Sequence, residues 1–112
     1  MDLTLYNIFL SSMQCQITDI HGDAKVVDFF DLLKQSTYTV LYFYPKDNTP
    51  GCTIEAIEFT RLLSAFSAQK TQIIGVSKDN HRSHCNFIEK QGLKITLLSD
   101  TDLVLHKKFD AL

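Results

Sequence analysis

Residues 42–52 read YFYPKDNTPGC and carry the chain from an apolar run into a helical pattern. The run starts at Thr39 as TVLYFYP, and its β-branched and aromatic side chains predict a buried strand. A short polar loop follows, and then Thr49 and Pro50 form a typical helix start, an N-cap residue followed by a proline in the first helical position. The pattern predicts that Cys52 lies in the first turn of a helix, at the carboxyl end of a strand.

A thiol in the first turn of a helix faces free backbone N–H groups and the positive end of the helix dipole. An ordinary cysteine thiol has a pKa near ~8.5, and lowering it to about 6 requires roughly 3.4 kcal/mol. A helix terminus supplies about 0.3–1 kcal/mol, or ~2 kcal/mol when the charge is partly buried. We therefore interpret Cys52 as a nucleophile that needs a cation or further hydrogen-bond donors from elsewhere, rather than as an inert buried cysteine.

The rest of the chain predicts alternating strands and helices. Strands are predicted at 3–10, 39–44, 72–77 and 95–98, a hairpin at 17–27 that turns near His21-Gly22-Asp23, and helices at 27–33, 50–68, 80–91 (ended by Gly92) and 102–109. Such alternation predicts βαβ units and a parallel sheet, in which the carboxyl ends of the strands share one edge. We therefore expect Cys52 to lie near the start of the helix at 80–91.

Pro45, Thr49 and Cys52 match the P-x-x-x-T-x-x-C signature of peroxiredoxins. Three blocks resemble the Q-type branch of that family, also called bacterioferritin comigratory proteins: FYPKDNTPGCTIEAIEF at 43–59, GVSKDNHRSHCNF at 75–87 and LLSD at 97–100. The resemblance implies an α/β, thioredoxin-like fold, with a sheet flanked by helices, as a single domain over 1–112. It also implies a thiol-dependent peroxidase that reduces hydrogen peroxide and organic hydroperoxides in antioxidant defence, without a metal or an organic cofactor.

The resemblance assigns roles to the residues of the motif. Cys52 would attack the terminal peroxide oxygen and become a sulfenic acid. The hydroxyl of Thr49 would hold a peroxide oxygen, and Pro45 would shield the thiol from water. Thioredoxin or another thiol reductant would then restore the thiol.

Cys85 is a candidate for the resolving cysteine that attacks oxidised Cys52, and a small core-facing residue is the alternative interpretation. The resemblance places such a cysteine at Ile57 or at Ile88, so Cys85 is displaced from the second of these positions by about one helical turn. For Cys15, which lies outside any motif, we expect a structural role.

Members of this family continue beyond the point that corresponds to Leu112. The resemblance implies that the missing part supplies a hairpin, a final helix and an arginine that faces the reactive thiolate. Arg82 is the expected substitute, because Arg61 is about 13 Å from Cys52 along its helix at ~1.5 Å per residue.

Without the hairpin, the strand at 39–44 would present an unpaired edge and favour a homodimer or aggregation. The alternative hypothesis is a truncated fragment or pseudo-enzyme with a structural or oligomeric role and little peroxidase activity.

Composition argues against several other classes of function. The chain has 112 residues, 45% apolar and 21% charged, with a net charge of −2 and no basic stripe, so we expect neither nucleic acid nor an anionic membrane as a partner. No apolar run approaches the ~20 residues of a membrane span, and no secretory signal is evident.

Three cysteines without the spacing of a disulfide scaffold indicate a reducing, cytoplasmic setting. His81, His84 and Cys85 match no standard zinc spacing, so we expect no metal site.

Overall fold

One mixed sheet of five strands runs through residues 13–111, the part of the chain that the computed structural model describes. The strands are β1 (Gln14–Thr18), β2 (Ala24–Asp28), β3 (Tyr38–Phe43), β4 (Thr71–Ser77) and β5 (Thr96–Ser99). Their order across the sheet is β2-β1-β5-β4-β3, with β3, β4 and β5 parallel and β1 antiparallel to both of its neighbours. The predicted hairpin and the three later strands are confirmed, whereas the strand predicted at 3–10 lies outside the described residues.

Helices cover both faces of this sheet. They are α1 (Phe29–Leu33), α2 (Pro50–Arg61), α3 (Leu63–Ala68), α4 (His81–Gln91) and α5 (Val104–Lys108). Side chains of α2, α3 and α4 bury one face of the sheet, and those of α1 and α5 bury the other. Within residues 13–111, no helix has the length and the apolar character needed to cross a bilayer. The predicted α/β architecture is confirmed.

The two-sided apolar character of β3 follows from its place between two helical layers. Successive side chains of a strand point to opposite faces of the sheet. Val40, Tyr42 and Tyr44 pack with the layer of α2, α3 and α4, while Leu41 and Phe43 pack with that of α1 and α5. Since β3 pairs only with β4 among residues 13–111, the predicted edge position of this strand is confirmed for the described part of the chain.

The prediction of one continuous helix over 50–68 is wrong, because α2 ends at Arg61 and α3 begins at Leu63. The backbone of Leu62 between them has φ −92° and ψ 4°, in the sparsely populated region beside the α-helical one. The interruption lets Leu63 and Phe66 pack against the apolar cluster that α2 also covers. Packing against the sheet thus overrides a helical periodicity that continues through Leu62.

Helix α4 ends at Gln91, as the sequence predicts, and Asn80, predicted as its first residue, is its N-cap. The side chain of Asn80 accepts a hydrogen bond from the N–H of Ser83 at 3.0 Å, which caps the first turn. Gly92 adopts φ 62°, and its N–H donates to the carbonyl of Ile88. A left-handed residue directly after a helix favours glycine. The start of α4 is therefore fixed near the carboxyl end of β4.

Candidate active site

The backbone between β3 and α2 places Cys52 where the sequence predicts it. Tyr44 extends the pairing of β3 by one residue, because its N–H donates to the carbonyl of Val76 at 3.0 Å. Thr49 is extended, with φ −85° and ψ 154°, and Pro50 follows as the first residue of α2. Cys52 is the third residue of this helix, so it lies at the positive end of the helix dipole.

The side chain of Thr49 does not cap α2, although the sequence predicts that it does. Its hydroxyl donates instead to the carbonyl of Lys46 at 2.9 Å, within the preceding turn. The N–H groups of the first turn, which include that of Cys52, therefore receive no side-chain cap. Because its proton is committed to Lys46, the Thr49 hydroxyl can offer only oxygen lone pairs to a ligand.

Cys52 is half-buried and packs against the apolar cluster between α2 and the sheet. The ring of Tyr42 lies in the same cluster, stacked on Phe59 with 4.5 Å between the ring centroids. The Tyr42 hydroxyl is buried and has no hydrogen-bond partner among residues 13–111. Burial, followed by electrostatic interactions with Glu55, Cys52 and Asp47, raises the pKa of Tyr42 well above its ordinary value, so the hydroxyl stays protonated. The thiol thus rests on an apolar surface that excludes water from one side.

A buried polar network joins the loop before Cys52 (residues 45–49, the Cys52 loop) to α4. The carboxylate of Asp47, which is 4% exposed, accepts from the hydroxyl of Tyr44 at 2.5 Å and from that of Ser83 at 2.8 Å. Nδ1 of the fully buried His84 lies 2.7 Å from the same carboxylate. Burial and the Asp47 carboxylate raise the pKa of Tyr44 well above its ordinary value, which keeps its hydroxyl a donor.

Asp47 is also held through its backbone. Its N–H donates to the carboxylate of Asp79 at 2.8 Å, and that carboxylate also accepts from the hydroxyl of Ser77 at 2.9 Å. On the opposite side of the network, Nε2 of His84 lies 3.3 Å from the carbonyl of Leu98 in β5. The loop before Cys52 therefore meets the first turn of α4 through Asp47, and the predicted proximity of Cys52 itself to the start of that helix stays a prediction.

The parts that Asp47 and Tyr44 play in this network are not predicted from the sequence. One signal is present in the sequence, because His84 lies on the same stripe of α4 as the buried residues Phe87 and Ile88. A polar side chain on such a stripe needs a buried hydrogen-bond partner. Its partner lies in a loop whose polar composition indicates exposure to solvent, so the pairing is not evident before the fold is known.

Pro45 and the two arginines considered above lie at the protein surface. Pro45 is exposed and borders a cavity of about 310 Å³ beside the end of β3. Arg82 is exposed at the second position of α4, and it forms no ion pair with any residue in 13–111. Arg61 forms an ion pair with Glu58 on the exposed side of α2. Arg61 is thus engaged elsewhere, whereas the charge of Arg82 is not neutralised by a neighbour within the described residues.

The remaining candidates point to different parts of the fold. Cys85 is half-buried, and its sulfur faces Gly22 in the turn between β1 and β2. Nδ1 of His81 lies 2.8 Å from the hydroxyl of Thr18. Cys15 lies in β1, where burial and then two nearby carboxylates raise the pKa of its thiol to about 11. All three cysteines are unpaired, and no three metal-ligating side chains lie together within residues 13–111.

The chain is similar in sequence to known proteins over most of its length. The model of the AhpC/TSA family matches residues 12–112. Peroxiredoxin Bcp of Xanthomonas campestris is 48% identical over 75 residues, which are 67% of this chain and 47% of that protein. Peroxiredoxin Bcp of Bacillus subtilis is 43% identical over 91 residues, which are 80% of this chain and 55% of that protein. The chain spans about half the length of the curated relatives that it matches.

Solved structures share the fold. Peroxiredoxin Q of Xanthomonas campestris superposes with a TM-score of 0.76 at 37% identity, over 88% of this chain and 58% of that chain. The bacterioferritin comigratory protein of the same organism, whose structures concern its alkyl peroxide reduction activity, superposes with a TM-score of 0.76 at 36% identity, over 88% of this chain and 59% of that chain. The thioredoxin-like sheet predicted from the sequence is therefore confirmed.

Proposed function

Because this chain belongs to the AhpC/TSA family, we propose that it acts as a thiol-dependent peroxidase of the Q-type peroxiredoxin branch, with Cys52 as its nucleophile. The observation that carries this proposal is the position of Cys52 in the first turn of α2, directly after β3 and its loop. There the thiol has uncapped N–H groups on one side and an apolar cluster on the other, three residues after the hydroxyl of Thr49.

In the proposed reaction, the Cys52 thiolate attacks the terminal oxygen of a peroxide R–O–O–H. A sulfur–oxygen bond forms as the O–O bond breaks, so Cys52 becomes a sulfenic acid and the released RO⁻ takes up a proton to give water or an alcohol. The uncapped N–H groups of α2 favour the negative charge on sulfur. The Thr49 hydroxyl oxygen, which can act only as a hydrogen-bond acceptor, would accept a hydrogen bond from the O–H of the peroxide and orient it. Pro45 would cover the loop on its solvent side.

We propose hydrogen peroxide and organic hydroperoxides as the substrates. The related bacterioferritin comigratory protein of Xanthomonas campestris has alkyl peroxide reduction activity. In this chain the half-buried thiol of Cys52 packs against an apolar cluster. An apolar surface accommodates the alkyl group of an organic hydroperoxide as well as the hydrogen atom of hydrogen peroxide.

A thiol must then reduce the sulfenic acid. The first thiol condenses with it to form a mixed disulfide and water, and a second thiol displaces reduced Cys52 from that disulfide. Thioredoxin or another protein dithiol would supply both sulfur atoms. Cys85 would serve only after α4 unwinds, because its sulfur faces Gly22. A reducing compartment such as the cytoplasm would suit three unpaired cysteines.

Peroxide consumption by cysteine variants tests the proposal. With dithiothreitol as the reductant, Cys52→Ser is expected to abolish consumption of hydrogen peroxide and of tert-butyl hydroperoxide, because no thiolate remains at the start of α2. Cys15→Ser is the matched control and should keep nearly full activity, since Cys15 lies in β1. Equal losses in both variants would overturn the assignment.

Trapping of the oxidised cysteine provides a second measurement. After stoichiometric peroxide and dimedone, mass spectrometry of the wild-type chain should find the adduct on Cys52, because only the sulfenic acid reacts with this reagent. A Cys52 that stays reduced under these conditions would instead favour a pseudo-enzyme.

A further inference from the structure

A buried carboxylate and a buried imidazole join the Cys52 loop to α4. Asp47 and His84 are 4% and 0% exposed, and their side chains meet at 2.7 Å. Replacing buried ionic or polar partners by apolar residues of similar volume is often neutral or stabilising, so the contact between these two side chains is weak evidence for stability. Its hydrogen bonds have fixed directions, however, and such bonds can specify one geometry for the segments that they join.

The donors around the Asp47 carboxylate come from different parts of the fold. The hydroxyl of Tyr44, at the end of β3, bonds Oδ1, whereas the Ser83 hydroxyl and the His84 ring, both from α4, approach Oδ2. The same ring reaches the carbonyl of Leu98, which places it between the Cys52 loop and β5. A shift of the loop would therefore break hydrogen bonds that are buried from water, and the separated groups would lose partners that solvent does not replace.

Contacts of the backbone from Asp47 to Thr49 extend this anchoring toward the thiol of Cys52. The N–H of Asp47 donates to the carboxylate of Asp79, and the next residue, Asn48, has a φ of 61°, a left-handed conformation that asparagine adopts more readily than most residues other than glycine. The Thr49 hydroxyl then bonds the carbonyl of Lys46. The conformation from Asp47 to Thr49 is thus held at both of its ends, three residues before the reactive thiol.

We propose that Asp47, Tyr44 and His84 are positioning residues for Cys52, which hold the Cys52 loop and the start of α2 in the arrangement that reacts with peroxide. This inference rests on the proposed peroxidase function. The three side chains act through the backbone that carries the Thr49 hydroxyl and the thiol, without a contact to the peroxide. A misplacement of about 1 Å at a reacting group can cost about a hundredfold in rate.

Two reactions of Cys52 in the full chain separate positioning from stability. Reaction with hydrogen peroxide needs the thiolate and the arrangement around it, whereas alkylation by iodoacetamide needs only an accessible thiolate. Both rates are followed on the Cys52 peptide by mass spectrometry. We expect Tyr44→Phe and Asp47→Asn to slow the peroxide reaction by about ten- to a hundredfold while changing alkylation by less than about threefold. If Asp47→Asn does not fold, Tyr44→Phe alone still tests the inference, because it removes only a single hydroxyl group.

Asp100→Asn is the matched control. Asp100 and His106 form a second buried Asp–His pair, with 2.6 Å between Nδ1 and the carboxylate. The Asp100 side chain also accepts from the N–H groups of Leu105 and His106 in α5, and within residues 13–111 none of its hydrogen bonds goes to the Cys52 loop. This control should lose stability, as Asp47→Asn does, without slowing the peroxide reaction.

Equal slowing of both reactions, or equal slowing by Asp100→Asn, would show that the network only stabilises the fold, and would overturn the inference. If the wild-type chain itself does not react with peroxide, the proposed function fails, and the inference is decided by amide hydrogen exchange. Faster exchange over 46–54 in Asp47→Asn, but not in Asp100→Asn, would then support the anchoring of the loop. Unchanged exchange would overturn it.

Discussion

The sulfur of Cys85 lies against the backbone of Gly22, so closely that a β-carbon at position 22 would be 3.1 Å from it. Cys85 therefore faces the turn between β1 and β2. Phe87, which belongs to the cluster on which Cys52 rests, lies about 200° around the axis of α4 from Cys85 at ~3.6 residues per turn. Cys85 thus points to the turn between β1 and β2, whereas Cys52 packs against the cluster between α2 and the sheet.

Peroxide should not produce a disulfide between Cys52 and Cys85 while α4 remains folded. A disulfide requires Cα atoms within about 7 Å and side chains that point at each other. We expect peptide mapping of the oxidised protein to find Cys52 as a sulfenic or sulfinic acid and Cys85 as a free thiol. Low concentrations of urea, which promote local unwinding, should increase the disulfide. A stoichiometric disulfide in native buffer would contradict this prediction.

Gly22→Ala should lower the free energy of unfolding by about 1–3 kcal/mol, for two reasons. Gly22 has φ +83°, where an alanine is strained, and the added methyl group would press on the sulfur of Cys85. Gly92→Ala separates the two effects, because Gly92 has φ +62° but open space around its Cβ position. Urea unfolding should show a larger loss for Gly22→Ala, and Cys85→Ala should recover the difference. Equal losses at the two glycines would mean that the contact with sulfur contributes nothing.

The position of Cys52 could be predicted from the sequence because its signals are local. A β-branched and aromatic run, a threonine and a proline lie within a few residues of the thiol, and each has its own conformational preference. The network around Asp47 could not be predicted in the same way, because its members come from β3, α4 and β5 and meet only through the parallel topology. The interruption at Leu62 also depends on packing, since the local pattern continues through it.

Two tyrosines on the same face of the sheet should respond in opposite ways to loss of the hydroxyl. Tyr44→Phe should cost about 1.5–3 kcal/mol, because its hydroxyl donates to the carboxylate of Asp47. Tyr42→Phe should be neutral or stabilise by about 1 kcal/mol, because its buried hydroxyl has no partner among residues 13–111. Chemical denaturation of the two variants checks the pair. A loss at Tyr42 as large as that at Tyr44 would show that both hydroxyls are bound in solution.

Cys15 should resist alkylation in the folded protein until the pH is strongly alkaline. Burial, followed by the charges of Asp28 and Asp100, raises its pKa from 9.0 to about 11. Because the folded state holds this proton more tightly than the unfolded chain, the stabilisation is complete below about pH 9 and decreases as the pH rises toward 11. Labelling of the Cys15 peptide between pH 7 and 11, with urea-unfolded protein as the control, measures the difference. Equal labelling of the folded and unfolded chains at pH 9 would contradict it.

The pairing of β1 with β5 makes the candidate active site depend on contacts between segments that are distant in sequence. It joins the first and last strands of the described chain, and contacts between such distant segments form slowly because closing a long loop costs entropy. Leu98 lies opposite Ile17 in this pair, and its carbonyl faces the ring of His84. The backbone hydrogen bonds of α2 join residues four apart, so they form without closing a long loop. During refolding, peroxide reactivity sampled over time at Cys52 should therefore rise with the closure of the sheet, after the helix that carries the thiol has formed.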